Sequence, residues 1–226
     1  MTPLRTKRLI LRNWEERDRP LFHRINSDER VMEFFPFRRD RAQSDALFDG
    51  LRDGIARRGF GFAAVEIDMT GECIGFVGLH PAEYLEPFLP KDTIEIGWRL
   101  APEFWGKGYV TEAAETHLAH GFEIFGFDEI VSFAVAGNGR STAVMERIGM
   151  RRDAAGDFDH PRVPDTHPHL KRHVLYRLAR SDWEARTGRP DSLRCGGSVL
   201  SRKRQFVPLL GLRGRHSFED GGEIIA

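Results

Sequence analysis

"IEIGWRLAPEFWGKGYVTEAA", residues 94–114, carries two periodicities and a hinge between them. Ile94, Ile96, Trp98 and Leu100 alternate with Glu95, Gly97 and Arg99, the two-residue period of a strand with one apolar face. Past Gly108 the period becomes helical: Val110, Ala113, Ala114, Leu118 and Phe125 fall on one side of a segment that runs to Phe125. Gly106 and Gly108 let the main chain approach a ligand with no side chain in the way. The unpaired N–H groups at a helix start favour negative charge, and Lys107 adds a formal positive one. Strand, glycine turn and helix together make a candidate anion site. The spacing is not that of the nucleotide-hydrolase phosphate loop, and Thr111 stands where the dinucleotide fingerprint needs its third glycine. On these residues alone, a glycine turn without a ligand remains an equal alternative.

Upstream, Arg8 to Trp14 reads as a strand and leads into a helix starting near Glu15 with Leu21, Phe22 and Ile25 on its apolar side. Leu47, Phe48, Leu51 and Ile55 form a second amphipathic stripe. Phe62 to Ile67 and Glu72 to Leu79 flank the turn residues Asp68-Met69-Thr70-Gly71 as a hairpin. Downstream, Glu129 to Val135 is a strand. Asn138-Gly-Arg-Ser141 caps a short helix that Gly149 ends in a left-handed turn. Two further strands, near Met150 to Ala154 and Arg172 to Ala179, enclose a loop rich in Pro, His and Asp. The expected order is β-α-α-β-β-β-α-β-α-β-β, within one domain over residues 1–186. Residues 187–226, aperiodic and glycine-rich, are expected to form a tail that adds nothing to the core and is largely disordered.

Thirty-four basic residues balance thirty-four acidic ones, so any anion binding has to be local, and neither nucleic acid nor an anionic membrane is an expected partner. The N-terminus has no apolar run of signal-peptide length and no segment approaches a membrane span. Cys73 and Cys195 are widely spaced, and Cys73 sits in an apolar run, which suits a reduced thiol and the cytoplasm.

The element order, with "IEIGWRLAPEFWGKGYVTEAA" at its centre and "NGRSTAVMERIGM" (138–150) one strand later, resembles the GNAT superfamily of N-acetyltransferases. More narrowly it is similar to the RimJ/RimL type that modifies ribosomal-protein N-termini. The resemblance covers about residues 5 to 180. The family loop Gln/Arg-x-x-Gly-x-Gly/Ala maps onto Glu103 to Gly108 and departs from it at Glu103. It implies an α/β (α+β) fold, a mixed sheet of six or seven strands with one splayed parallel pair, flanked by about four helices. It further implies that acetyl-CoA is the acetyl donor, with pantetheine entering between the splayed strands. Leu100 would contact the cofactor arm, Trp105, Gly106, Lys107, Gly108, Tyr109, Val110 and Thr111 would surround the diphosphate, and Asn138 and Ser141 would line the thiol end. For Asn138 and Ser141 helix capping is an equal reading.

Acetyl transfer to an amine needs the amine neutral, a donor to the carbonyl oxygen as it gains charge, and a proton for the leaving thiolate. Glu95 is the first candidate base and His160 the second; the bland reading of Glu95 is a solvated pair with Arg99. A backbone N–H near Arg99 or Leu100 is the expected carbonyl donor. Ser141 is the expected acid for the thiolate, ahead of Tyr109 and Tyr176. The acceptor is expected between Phe34 and Phe35 on one side and Asp159 and His160 on the other, with Asp157 nearby and Arg38 and Arg39 able to hold a carboxylate or phosphate. His160, His167, His169 and His173 fit no established zinc spacing, and no metal is expected. The expected function is transfer of acetyl from acetyl-CoA to a primary amine, on a small molecule or a peptide N-terminus, by a monomer or homodimer. A non-turnover acyl-CoA sensor of the same fold is the alternative.

Overall fold

The computed structural model describes residues 1–188. The expected tail therefore lies outside the described residues apart from Thr187 and Gly188. The strands are β1 (Leu4–Arg5), β2 (Leu9–Arg12), β3 (Phe62–Ile67), β4 (Cys73–Pro81), β5 (Ile94–Leu100), β6 (Glu129–Val135), β7 (Arg151–Asp159) and β8 (Arg172–Ala179). The helices are α1 (Arg19–Ser27), α2 (Arg41–Arg58), α3 (Tyr109–His120), α4 (Gly139–Arg147) and α5 (Arg180–Thr187). One π-helical turn, Gly121–Phe125, carries α3 on to a left-handed Gly126, which accounts for the long helical period in the sequence.

All eight strands form one sheet in the order β1-β2-β3-β4-β5-β6-β8-β7. Every neighbouring pair is antiparallel except β5 and β6. That parallel pair touches at a single register position, Glu95 opposite Val131, whereas β4–β5 and β6–β8 pair along their whole lengths. The sheet is thus two antiparallel wings that part company beyond Glu95. The Ser132 hydroxyl donates to the Ile96 carbonyl at 2.9 Å and so replaces a ladder bond where the strands begin to diverge.

Alternation along β4 and β5 assigns the two faces. Phe76 meets Phe22 of α1, which in turn meets Phe48 of α2, with Trp14 edge-on at 4.8 Å to Phe22. The opposite face carries α3, α4 and α5: a Cβ at Gly121 would press on Leu79 and Ile130 within 3 Å, and Trp183 of α5 packs on Phe122. Under the first face, Arg12 is buried and donates to both Asp18 and Glu66, which keep it charged against the cost of burial.

The expected mixed sheet with one splayed parallel pair is present, with one strand and one helix more than the sequence suggested. The extra strand β1 is two residues long, too short to show a period. The extra helix α5 follows β8 without a break and has few apolar residues besides Trp183. β7 runs on to Asp159, five residues beyond the expected end at Ala154, because its register against β8 shifts between Asp153 and Phe158 and breaks the alternation. Asp157 and Asp159 are therefore strand residues rather than loop residues.

Candidate active site

Beyond Glu95 and Val131 the diverging strands leave a cleft of about 1320 Å³. Its walls are the end of β5 (Trp98, Arg99, Leu100), the glycine turn, the start of α3, the start of α4, Phe34 and Phe35 from the α1–α2 connection, and Trp183 of α5.

Parity along β5 decides which main-chain groups face the cleft. The Ile96 carbonyl takes the Ser132 hydroxyl from the β6 side, and the Leu100 carbonyl takes the Trp105 indole N–H at 2.8 Å. Ala101 donates the other way, to Ile74 of β4. Even-numbered residues thus aim their N–H and C=O at the gap and odd-numbered ones at β4. Trp98 and Leu100 present N–H groups to the gap. Arg99, the other residue expected to offer a carbonyl donor, has its N–H turned to β4, where Phe76 lies opposite.

Gly106 (φ 72°) and Gly108 (φ 76°) are both left-handed, a conformation glycine takes without strain. Among the described residues, no N–H from Gly106 to Thr111 donates to a carbonyl or side chain, and no side chain caps α3. A Cβ at Gly106 would meet nothing within 4 Å, so the turn opens on space. Arg8 ties the turn down from behind. Its Nη1 donates to the Lys107 carbonyl at 3.0 Å, its Nε to Glu112 at 2.6 Å, and its guanidinium lies 4.5 Å from the centre of the Tyr109 ring. Glu112, in the first turn of α3, loses some of its hydration there, yet bonds from Thr6 and Arg8 hold its carboxyl below the usual range. A row of unpartnered amides at a helix start, with Lys107 beside it, fits the diphosphate of a coenzyme A thioester.

A family profile described as "Acetyltransferase (GNAT) domain" matches residues 8–151. The chain belongs to the GNAT acetyltransferase family. It is similar to the uncharacterized protein YkkB of Bacillus subtilis, 31% identical over 150 residues that make up 66% of this chain and 85% of that protein. YdaF of Bacillus subtilis, provisionally named a ribosomal N-acetyltransferase, is 32% identical over 114 residues, 50% of this chain and 57% of its own. Among solved structures, an acetyltransferase from Agrobacterium tumefaciens is 29% identical with a TM-score of 0.62, over 79% of this chain and 94% of that one.

Within this GNAT enzyme the two groups of expected site residues are placed differently. Leu100, Trp105, Gly106, Gly108, Tyr109, Val110, Thr111, Asn138 and Ser141 line the cleft, and so do Phe34 and Phe35; Lys107 stands exposed between the two turn glycines. Asn138 is both a cap and a wall: its Oδ1 accepts from the Ser141 N–H at 3.1 Å while its side chain faces the cleft. Ser141 also lines a second, narrow void with Gly97, Trp98, Ser132, Phe133 and Met145, about 10 Å³ in volume, where the strands first part.

Glu95, by contrast, is fully buried and is not among the residues lining the cleft. Tyr84 donates its hydroxyl to Glu95 Oε1 at 2.9 Å. His80 Nδ1 lies 3.9 Å away, but burial foremost pushes the His80 pKa down to about 4, so at neutral pH it adds no charge. The solvated Glu95–Arg99 pair is not what forms, since both side chains are buried and the Arg99 guanidinium bonds Asn26 Oδ1 at 2.5 Å. His160 is buried against Phe133, Phe158 and His173, and its pKa is pushed down to about 3 by burial, His173 and Arg162. Asp159 faces solvent beside Arg172, and Asp157 takes the Leu175 N–H and an Arg152 bond; neither lines the cleft. Arg38 donates to carbonyls of its own loop, and Arg39 is buried away from the cleft lining. Tyr176 donates to Glu146 at 3.1 Å.

Sequence reasoning missed the charged side chains of the cleft wall, the cations Lys7, Arg30, Arg99, Arg140, Arg147 and Arg186 and the carboxylates Glu112 and Glu115. For Arg99 the signal was present, since alternation set it on the polar face of β5; Glu112, Glu115, Arg140, Arg147 and Arg186 lie on helices, whose period marks a polar side without saying what that side faces. No group of three or more His, Cys, Asp or Glu among the described residues is placed to hold a metal, and no described helix is long and apolar enough to cross a membrane.

Proposed function

We propose that this GNAT enzyme transfers an acetyl group from acetyl-CoA to a primary amine by direct attack of the amine on the thioester. The observation that carries the reading is the conjunction of unpartnered amides from Gly106 to Thr111 with a cleft that begins where β5 and β6 separate. Acetyl-CoA as second substrate supplies the activated acetyl group; the chain supplies position and protons. In this reading the amides of the turn and of the first α3 residues bind the diphosphate. The inward N–H groups of Trp98 and Leu100 pair with the extended pantetheine arm and stabilise charge growing on the carbonyl oxygen. Ser141, whose hydroxyl makes no hydrogen bond among the described residues, delivers a proton to the departing sulfur.

The amine proton is assigned to Glu95. Because Glu95 lies beneath the cleft lining, the proton reaches it through the Tyr84 hydroxyl already bonded to it or through one water. His160 is a poor second choice, since burial that disfavours its cation disfavours its taking a proton. Asn138 lines the thiol end beside Ser141, and Phe34 and Phe35 shape the acceptor side.

The test is release of free thiol from acetyl-CoA with a panel of amines, run beside calorimetry of acetyl-CoA binding. Thiol release that requires an amine, with the amine gaining the mass of one acetyl group, supports the proposal. Tight binding with no thiol from any amine replaces it with a non-turnover sensor.

A further inference from the structure

A turn whose own amides are unpartnered has to be held from outside, and its two glycines raise the entropy lost on ordering it. Among the described residues, one side chain bonds the main chain of residues 106–108: Arg8, whose Nη1 donates to the Lys107 carbonyl at 3.0 Å. Arg8 comes from just ahead of β2, 99 residues away in the chain, and is not among the residues lining the cleft. The C=O and the following N–H of a trans peptide point in opposite directions. A Lys107 carbonyl drawn back to Arg8 therefore turns the Gly108 N–H toward the open side of the turn.

The same guanidinium holds a carboxylate of the cleft wall. Its Nε donates to Glu112 Oε2 at 2.6 Å, while Glu112 Oε1 accepts from the Arg8 N–H at 2.8 Å and from the Thr6 hydroxyl at 2.5 Å. The Tyr109 ring lies against the guanidinium at 4.5 Å. Glu112 is in the first turn of α3 and lines the cleft, so its charge stands beside the amides that an anion would use. A bare carboxylate there would repel that anion, and an arginine bonded to it removes most of the repulsion. Arg8 thus acts twice on the turn, by aiming a peptide and by cancelling a charge. Both actions come from one planar group with its donors in fixed directions.

We infer that Arg8 is a positioning residue for the coenzyme: it keeps the 107–108 peptide with its N–H toward the cleft, neutralises Glu112, and so sets the affinity for acetyl-CoA without touching it. The inference rests on the diphosphate lying on this turn, as in the transferase reading, and names the residue that prepares the turn for it.

The test compares wild type, Arg8→Gln, Glu112→Gln and the double variant with two donors, acetyl-CoA and acetyl-pantetheine, which lacks the diphosphate. Binding is read by calorimetry and turnover by thiol release. Arg8→Gln should raise the Kd and KM of acetyl-CoA by about ten- to a hundredfold, the worth of one hydrogen bond to a charged ligand, while kcat at saturating acetyl-CoA and the kcat/KM for acetyl-pantetheine hold. Glu112→Gln should bind acetyl-CoA at least as tightly as wild type. The double variant should bind it at least about threefold more tightly than Arg8→Gln, because no bare carboxylate is left beside the turn. The two side chains are 41% and 19% exposed, so the variants should fold; if Arg8→Gln does not, Glu112→Gln decides alone. An Arg8→Gln protein that binds acetyl-CoA as tightly as wild type, an equal loss with acetyl-pantetheine, a double variant no better than Arg8→Gln, or weaker binding by Glu112→Gln overturns the inference and leaves acetyl transfer standing. Acetyl-CoA binding without thiol release from any amine overturns the transferase reading, and the binding ratios still decide the inference. Absence of acetyl-CoA binding to wild type overturns both.

Discussion

Gly108→Asp tests the anion loop at the point where charge matters most. Gly108 precedes the first residue of α3 with φ 76°, and the nearest atom to an added Cβ is Arg8 Nη2 at 3.5 Å, an ordinary contact. The cost to folding is therefore one residue held left-handed, about 1–2 kcal/mol, offset in part by a negative charge at a helix N-terminus worth about 0.3–1 kcal/mol. The variant should fold, with a melting temperature lower by only a few degrees. Binding is another matter. A carboxylate about 5 Å from each charge of a diphosphate repels it by roughly 3 kcal/mol per pair at an effective dielectric of 20, and by about 1 kcal/mol where water screens the loop. Displacement of one or two amide bonds to a charged ligand adds about 1.5–3 kcal/mol each. A total near 4 kcal/mol corresponds to a roughly thousandfold rise in the Kd of acetyl-CoA. Gly108→Ala imposes the same backbone strain without charge and should lose less than about tenfold in affinity. Calorimetric titration of the three proteins, each checked by thermal melting, separates the effects. A folded Gly108→Asp protein that binds acetyl-CoA as tightly as wild type refutes the placement of the diphosphate on this loop.

Three further outcomes are expected. Glu95→Gln keeps the shape and the Tyr84 hydrogen bond but cannot accept a proton, so kcat should fall by about 10²–10⁴ with the acetyl-CoA KM little changed; steady-state kinetics showing an unchanged kcat remove Glu95 as base. Ser132→Ala takes the hydroxyl away from the buried Ile96 carbonyl and should cost about 1–3 kcal/mol in urea unfolding, and no measurable cost would mean that the strands are held together elsewhere. His80, His117 and His160 are buried with pKa values pushed down, foremost by burial, to about 4, 3 and 3. Their folded values lie below the unfolded value of about 6.5, so the unfolded chain binds more protons as pH falls, and stability is full above about pH 6.5 and declines below it. Each uncharged ring contributes up to about 1.4 kcal/mol per pH unit between about pH 6.5 and 4, and a urea midpoint that stays flat from pH 7.5 to 5 contradicts the neutral burial of these rings.

The proposed donor half of the site was legible as strand, turn and helix because local rules make those elements. A strand period, two glycines that only a turn or a ligand approach would ask for, and a helix start are all features of consecutive residues, and they landed where the sequence put them. The acceptor half was not legible in the same way. Glu95 reads as a surface carboxylate because its neighbours alternate apolar and polar, yet it is fully buried beside Tyr84 and His80, which no local period announces. Asp157 and Asp159 read as loop acids because a register shift in β7 hides the strand that holds them. His160 reads as an exposed loop histidine, and it is buried by its near neighbour Phe158 together with Phe133 of β6 and His173 of β8. For Glu95 and His160 the burial comes from other strands and loops, and sequence alternation reports a side chain's face without saying what covers that face.

The geometry of β5 ties the two halves together. In a strand, a residue's side chain and its main-chain groups follow the same two-residue period in different directions. Even-numbered residues of β5 turn their side chains toward α3 and their N–H groups toward the gap, where the thioester arm is proposed to lie. Odd-numbered residues turn their main chain toward β4 and their side chains, Glu95 and Arg99, toward the face of Phe35 and Tyr84. One strand can therefore turn its backbone to the proposed thioester arm and its side chains to the other face of the sheet. The odd position between Glu95 and Arg99 is Gly97, which has no side chain and lines the narrow void shared with Ser132 and Ser141. At about 10 Å³ that void is near the size of one water. Slipping the strand by one residue would move Arg99 to the other face and put a side chain into that void at once. The parity of β5, fixed by its pairing with β4 along seven residues, is thus the feature on which both the proposed donor contacts and the placement of Glu95 and Arg99 depend.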